Sequence, residues 1–408
     1  MADSGRSATF REVFAVREFV GIWLATVLSV AGDQFARVAL SLLVFDQTGS
    51  ALLAALTYAV TFIPDLIGGS LLAGWADRLP RRQVMIGTDL ARAGLVALMA
   101  IPGTPIAVLL VLLFTVQLLA VPFTAARSAL LPAILGGDRF EVGTGVLTTT
   151  YQVGLVVGYP LGAVVVSWLG TRGALLADAV TFVVSALLVA TFVADRGVVE
   201  SPGGRPRTTW SSLTSGARLV RADPKLRALL ALACVSGFYI APEGLVVPYS
   251  DQIGAGTWGV GVLLAANPLG TAVGMVVLSR FVAPDRRVRL LGPLAVATSL
   301  ALLPTALAPG LARSFAFWAL AGLFSAHDMV TNTQYVRAVP EHARGQAIGL
   351  AIAGLRGAQG LGVLIAGVLA EFITPARVIG ILAVLGVLAA WMAAGAWRRA
   401  TVPPPVQA

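Results

Sequence analysis

The chain has 408 residues, of which 57% are hydrophobic and 12% are charged. A soluble domain carries about 25% charged residues, so this composition excludes an ordinary soluble protein and predicts a polytopic membrane protein. The formal net charge of +9 would indicate a nucleic-acid partner only if a basic groove with interleaved aromatic residues were present, and the sequence contains no such pattern.

Apolar segments of about 20 residues, enough to cross ~30 Å of hydrocarbon at about 1.5 Å per residue, recur along the chain. Span one is expected to remain in the mature protein, because no small-residue cleavage site follows its apolar run. We predict twelve spans, numbered one to twelve in chain order, at residues 19–45, 52–76, 83–101, 105–126, 142–168, 173–194, 226–249, 258–281, 289–308, 311–335, 345–370 and 375–397.

The basic residues are distributed unevenly between the two sets of loops. If both termini are cytoplasmic, the outer loops hold only Arg172, Arg313 and Arg377, and the other loop and terminal basic residues lie inside. The positive-inside rule therefore predicts cytoplasmic termini, and we expect the protein to lie in the cell membrane. On this interpretation the net charge reflects topology.

Residue types that several enzyme classes need are scarce. The sole lysine, Lys225, is not part of a Gly-Lys-Ser/Thr sequence, which excludes ATP hydrolysis by a P-loop. The sole cysteine, Cys234, lies in span seven and excludes intrachain disulfides and cysteine-based zinc sites. Residues 254–259 match GxGxxG, but no strand precedes them and the match is interpreted as chance. We expect a protein that is not an enzyme and that needs neither metal nor cofactor.

The chain also shows an internal duplication. Residues 162–172 resemble residues 367–377, about half the chain further on. We predict two six-span halves, 1–194 and 226–408, joined by a cytoplasmic linker at 195–225 that contains an interfacial amphipathic helix. Parallel halves of this kind rock about a central site near the membrane midplane.

The loop between spans two and three carries the first family resemblance. It reads Gly74-Trp75-Ala76-Asp77-Arg78-Leu79-Pro80-Arg81-Arg82 and resembles the major facilitator superfamily signature Gly-x-x-x-Asp-Arg-x-Gly-Arg-Arg, with departures at Ala73 and Pro80. Such an ion cluster is expected to hold the inner helix ends in one conformation and release them in another. The alternative is that the arginines only obey the positive-inside rule. The predicted conformational latch comprises Asp77, Arg78, Arg81, Arg82 and Arg127.

Span five contains Gly154, Gly158 and Gly162 at one-turn spacing. The segment is similar to the superfamily's antiporter motif Gly-x-x-x-Gly-Pro-x-x-Gly-Gly, but Pro160 is one position late and Ala163 replaces the last glycine. Small residues one turn apart also serve plain helix packing, and that alternative stays open.

Three further segments resemble one branch of the superfamily, the macrolide-efflux and enterobactin-exporter transporters. They are residues 31–40 of span one, residues 126–132 at the inner end of span four and residues 178–182 of span six. The resemblance covers nearly the whole chain. It implies an all-α membrane protein with the major facilitator fold and proton-driven export, with substrates that range from antibiotics to siderophores.

Acidic residues within the spans are the main functional candidates, because a carboxylate at bilayer depth costs roughly 2.5 to 3.5 kcal/mol on insertion scales. Asp33 precedes Arg37 by four residues on the same helix face, which predicts either a proton-coupling pair or a permanent ion pair. Glu243 has the corresponding place in the second half and follows Pro242, which is expected to bend or unwind span seven. We predict proton coupling at Asp33, Glu243 and Arg37.

Other polar residues in the spans are assigned from their positions. Asp89 and Arg92 are interpreted as a helix-stabilising i,i+3 pair, whereas the roles of Asp178, His327 and Asp328 stay open. The predicted lining of the substrate cavity is Asp65, Gln117, Tyr151, Gln152, Asn267, Asn332, Gln334, Arg356 and Gln359.

The sequence as a whole predicts a monomeric, proton-coupled exporter of small organic molecules that works by alternating access. Two alternatives remain. One is an importer or symporter of a small metabolite, which the same fold supports. The other is a membrane sensor or scaffold that does not transport.

Overall fold

The computed structural model describes residues 8–64, 79–197 and 209–401, and the regular elements within these ranges are helices. Eight helices among the described residues are long and apolar enough to cross a membrane. The predicted spans that this number leaves out are span two, whose described helix is short, span three, whose helix contains several charged residues, span ten, which is broken, and one of spans five and six, which are merged.

The first half contains a short helix followed by the spans. Span two is described only as far as residue 64. The helices of this half are Phe10–Phe14, Arg17–Thr48 (span one), Ala51–Ala59 with the 3-10 turn Val60–Phe62 (span two), Arg81–Met99 (span three), Ile106–Ile134 (span four) and Asp138–Phe192 (spans five and six).

The last of these helices is continuous in hydrogen bonding but not in direction. Gly170 has φ 72° and ψ 173°, a conformation that glycine adopts readily because it has no Cβ. The chain therefore changes direction at Gly170, and the 55-residue segment supplies two spans.

The second half begins after the predicted linker. Its helices are Thr209–Ala222, then Pro224–Cys234, Ser236–Tyr239, Ala241–Gly244 and Val246–Gln252 (span seven), Gly256–Phe281 (span eight), Pro284–Leu302 with the 3-10 turn Leu303–Leu307 (span nine), Leu311–Ser325 and His327–Ala338 (span ten), Arg344–Ala370 (span eleven) and Pro375–Thr401 (span twelve).

Two spans of this half are broken near their acidic residues. Span seven is interrupted at Val235, Ile240 and Leu245, in the region where Pro242 removes a backbone donor and was expected to unwind the helix. Span ten is interrupted at Ala326, which the sequence did not predict. The backbone at Val235, Ile240 and Ala326 keeps helical dihedrals, so each interruption is short and the span continues beyond it.

The chain divides into two compact units. The first contains Met1–Leu40 and Ile67–Pro206, and the second contains Ser41–Leu66 and Arg207–Ala408. The start of span two therefore groups with the second half. Helix Thr209–Ala222 belongs to the same unit and packs closely on span eleven, because a Cβ on Gly216 would lie 2.7 Å from the carbonyl oxygen of Gln346.

In the first unit, the glycines of span five bring that span directly against span one. A Cβ on Gly162 would lie 3.2 Å from the Gln34 carbonyl oxygen and 3.3 Å from Phe35 Cα, and one on Gly158 would lie 2.8 Å from Gln34 Cγ. A larger residue at either position would push span five away from the segment that carries Asp33.

Candidate functional site

Arg92 of span three lies at the centre of a buried charged cluster in the first compact unit. Its Nη2 lies 2.8 Å from Asp33 Oδ1 of span one, and its Nη1 lies 3.3 Å from Ser29 Oγ and 3.8 Å from Asp89 Oδ1. The guanidinium carbon lies 4.0 Å from the ring centroid of Phe182 in span six. Only 1% of Arg92 is exposed, so a single side chain connects spans one, three and six.

Asp178 of span six belongs to the same cluster and is fully buried. Thr181 Oγ1 donates to its Oδ1 at 3.2 Å, and a Cβ on Gly32 would collide with both of these side chains. The glycine beside Asp33 thus makes room for a second carboxylate. Asp178 interacts electrostatically with Asp33 and Arg92, and its Oδ2 has no hydrogen-bond partner among the described residues.

The cluster contains more carboxylates than cations. Asp89 is also fully buried and accepts a hydrogen bond of 2.6 Å from Ser185 Oγ. Asp33, Asp89 and Asp178 therefore share the one guanidinium of Arg92 within this described cluster. Asp89 and Asp178 are fully buried and the Asp33 side chain is 24% exposed, so ionising all three would leave net negative charge largely away from water, which is costly.

Glu243 is the centre of a second buried group, in the second compact unit. It lies in the broken part of span seven and is 7% exposed. The Tyr58 hydroxyl of span two donates to Glu243 Oε2, and Asn267 Nδ2 of span eight donates to Oε1 at 2.9 Å. The structure thus brings together two predicted site residues, Glu243 and Asn267, and adds a tyrosine.

Asp328, at the break in span ten, forms a neighbouring polar group. The Tyr239 hydroxyl of span seven donates to Asp328 Oδ2, and His327 Nδ1 lies 3.2 Å from Asp328 Oδ1. His327 is fully buried, and the angle of its approach is not that of a hydrogen bond. Tyr239 also interacts electrostatically with Glu243. The four side chains therefore form a spatial series in which each lies next to the following one, in the order Glu243, Tyr239, Asp328 and His327.

A cavity of about 260 Å³ lies beside Asp328, between spans seven, ten and eleven. Its walls are largely apolar. Its polar lining includes Asp328, Thr331 and Asn332, so Asn332, a predicted cavity residue, does line a cavity.

The ion pair of Asp33 differs from the predicted one. Asp33 pairs with Arg92 rather than with Arg37, whose Nη1 donates to the Tyr159 hydroxyl of span five at 3.3 Å. The predicted i,i+3 pair of Asp89 and Arg92 is present at 3.8 Å, but Arg92 approaches Asp33 of span one more closely, at 2.8 Å. The packing of neighbouring helices thus determines which carboxylate Arg92 approaches most closely.

The described arginines of the predicted latch contact other spans. Arg81 Nη1 donates to the Ala129 carbonyl of span four at 2.7 Å, and Arg82 Nη2 donates to the Ala190 carbonyl of span six at 2.5 Å. Arg127 Nη1 donates to Thr26 Oγ1 of span one at 3.3 Å. The remaining predicted latch residues, Asp77 and Arg78, and the cavity candidate Asp65 lie outside the described residues.

The other predicted cavity residues lie on spans four, five, ten and eleven. Arg356 Nη1 donates to Gln359 Oε1 at 3.1 Å, and its guanidinium carbon lies 5.7 Å from the ring centroid of Phe62. Tyr151 is exposed, and the half-buried residues of this set are Gln117, Gln152 and Gln334.

Sequence reasoning assigned no functional role to Arg92, Tyr58 and Tyr239. The rule that singled out the acidic residues applies equally to an arginine within a span, so Arg92 was accessible from the sequence. The two tyrosines carried no such signal, because tyrosine is common in membrane spans and at their ends.

The family model of the Major Facilitator Superfamily matches residues 22–312. The chain is 26% identical over 365 residues to the multidrug efflux pump Tap of Mycolicibacterium fortuitum, a match that covers 86% of this chain and 88% of that protein. It is 21% identical over 241 residues to macrolide efflux protein A of Streptococcus pyogenes, covering 57% of this chain and 58% of that protein.

Solved structures share the fold at low sequence identity. A bacterial homologue of the human lysosomal transporter Spinster superposes with a TM-score of 0.73 at 15% identity, covering 97% of this chain and 98% of that one. The nucleoside transporter NupG superposes with a TM-score of 0.73 at 12% identity, covering 95% of this chain and all of that one. At these identities the likeness concerns the fold alone.

Proposed function

The chain belongs to the Major Facilitator Superfamily, and from this premise we propose that it exports small organic molecules, drug-like or siderophore-like, in exchange for protons. The predicted family and its all-helical major facilitator fold are confirmed, and the protein is a membrane transporter. The proposal adds the direction of transport, the coupling ion, a monomeric state and a place in the cell membrane with both termini in the cytoplasm.

The buried cluster around Arg92 is the observation that carries the proton coupling. The Asp33–Arg92 ion pair joins spans one and three, and a proton on Asp33 removes the charge that holds Arg92 there. Asp89 and Asp178 offer Arg92 alternative partners within the same cluster. Protonation therefore redistributes the contacts between spans one, three and six, which favours one conformation over another.

Glu243 supports the proposal from the second compact unit. As an ionised acceptor it takes hydrogen bonds from Tyr58 and Asn267. A protonated carboxyl group has one oxygen that becomes a donor, so it cannot keep both bonds unchanged. Protonation of Glu243 would therefore alter the contacts between spans two, seven and eight.

Export rather than import is favoured by the curated relatives, which are named efflux proteins. An importer of a small metabolite would use the same fold, and the experiment below separates the two directions.

The test is uptake of a panel of antibiotics and siderophores into inverted membrane vesicles under an imposed pH gradient. The wild type and the control Glu141→Gln, which alters an exposed carboxylate at the start of span five, should accumulate a substrate. Asp33→Asn and Glu243→Gln should fall to the level of vesicles without transporter. If both acid variants remain fully coupled, the assignment of the proton sites fails. Gradient-dependent accumulation by intact cells would indicate import.

A further inference from the structure

We propose that the cavity between spans seven, ten and eleven binds compact amphipathic monocations, with Asp328 as the counter-ion. The proposal rests on the proposed export function in one respect, since it assigns a substrate class to that function. Binding itself can be measured without transport. All residues that line the cavity belong to the second compact unit.

The cavity limits the size and polarity of its ligand. Its volume of about 260 Å³ lies below the roughly 300 Å³ at which pockets for drug-sized ligands begin. Leu229, Leu230, Met329, Ile352 and Leu355 form much of its wall. Burial of an aliphatic or single-ring aromatic group against such a wall is favourable in free energy.

Asp328 gives this apolar cavity a negative charge. Its side chain is 40% exposed, and the described lining residues include neither arginine nor lysine. A cation that enters can pair with the carboxylate, whereas an anion is repelled and a neutral molecule gains only the apolar contact. Asn332, one turn further along span ten, can accept a hydrogen bond from an ammonium group.

Asp328 accepts a hydrogen bond from a neighbouring span. The Tyr239 hydroxyl donates to Oδ2, so the carboxylate acts as an acceptor. Asp328 Oδ1 is buried and lies 3.2 Å from His327 Nδ1, so a cation in the cavity would meet the other carboxylate oxygen, Oδ2.

The experiment compares phenylbutylammonium with phenylbutanol, two ligands of nearly equal shape that differ in charge. Each is titrated into the purified full chain in nanodiscs, without a pH gradient and at about pH 8, where imidazoles are ordinarily neutral. Binding is followed by ligand-observed NMR. The wild type should bind the ammonium compound about tenfold or more tightly than the alcohol.

Three variants locate the charge and the cavity, and a fourth serves as the control. Asp328→Asn should lower the affinity for phenylbutylammonium about tenfold or more and leave that for phenylbutanol unchanged. Asp328→Glu should retain the preference for the cation. Ala351→Phe, which fills the cavity from span eleven, should weaken binding of both ligands. Asp251→Asn removes an exposed carboxylate outside the cavity and should bind as the wild type does.

Equal affinity of the wild type for the two ligands, or an unchanged cation affinity in Asp328→Asn, would overturn the proposal. If Asp328→Asn does not fold, Ala351→Phe tests the site instead. A folded Ala351→Phe variant that binds phenylbutylammonium with unchanged affinity would show that the ligand binds elsewhere and would overturn the proposal. Asp328-dependent binding without export in vesicles would refute the proposed function and leave this site standing. Export with binding that does not depend on Asp328 would refute this site alone.

Discussion

Asp33 Oδ1 of span one and Arg92 Nη2 of span three lie 2.8 Å apart in an ion pair whose arginine is almost completely buried. The closest charged partner of each residue lies on another helix. Span three supplies the cation, span one supplies the closest carboxylate and span six supplies Asp178 and the ring of Phe182. The pair therefore depends on how these three helices pack.

Removal of Arg92 is expected to be more harmful than removal of Asp33. Arg92→Gln leaves the buried carboxylates without a cation, and loss of one partner of a buried pair costs about 3–5 kcal/mol. Asp33→Asn leaves Arg92 with Asp89 and Asp178, so its cost should be clearly smaller. Thermal unfolding of the purified variants tests the order. Equal losses of stability would mean that Arg92 does not serve all three acids.

Gly32 is expected to be indispensable for the packing of span one on span six. Gly32→Ala places a methyl group against Asp178 Oδ1 and Thr181 Oγ1, and overpacking of this kind costs typically about 1–3 kcal/mol. The matched control is Gly87→Ala in span three, where a Cβ meets no atom within 4 Å. There alanine should be neutral or stabilising by about 0.5–1 kcal/mol, because it favours the helix. Similar unfolding temperatures for the two variants would contradict the close approach.

Glu371, just after span eleven, should make stability depend on pH. Its carboxylate accepts hydrogen bonds from the Leu52 amide at 2.8 Å and from Ser50 Oγ at 2.7 Å, and these bonds, the amide first, lower the pKa of Glu371 below its ordinary value of 4.5. A lowered pKa in the folded state stabilises the protein above the ordinary value, and this contribution is lost as the pH falls through the folded-state pKa.

The measurement is the unfolding temperature of the wild type and Glu371→Gln as a function of pH. The wild type should be the more stable near neutral pH, and its advantage should shrink at and below about pH 4.5. Because Glu371 is largely exposed to solvent, the effect should also weaken with added salt. If the stability advantage of the wild type grew on acidification, the hydrogen bonds would not favour the ionised carboxylate and the prediction would be wrong.

Arg82 should affect the rate of transport more than the binding of substrate. Its charge-assisted hydrogen bond to the Ala190 carbonyl ties the start of span three to span six, and such bonds contribute about 1.5–3 kcal/mol. Arg82→Gln should change the maximal transport rate and leave substrate affinity in place. Arg139→Gln, at an exposed arginine that begins span five, is the control. A change confined to affinity would argue against a latch.

The two interrupted helices differ in whether the sequence predicts the interruption. Pro242 predicted the interruption of span seven, because proline lacks the donor that a helix needs. No proline lies near Ala326 to predict the interruption of span ten. Without knowledge of that interruption, the roles of His327 and Asp328 could not be assigned. The meeting of Glu243 with Tyr58 likewise joins residues 185 positions apart, which no local pattern encodes.

The sequence by itself determined the membrane class, the succession of spans, the family and the acidic residues to suspect, because hydrophobicity, helix length and signature loops are local properties of the chain. Only the tertiary structure decided that Asp33 pairs with Arg92, that Gly32 makes room for Asp178 and that Asp328 faces a cavity. A long side chain in a membrane span takes the partner that a neighbouring helix brings within reach, and the rotation and approach of that helix follow from packing over many residues.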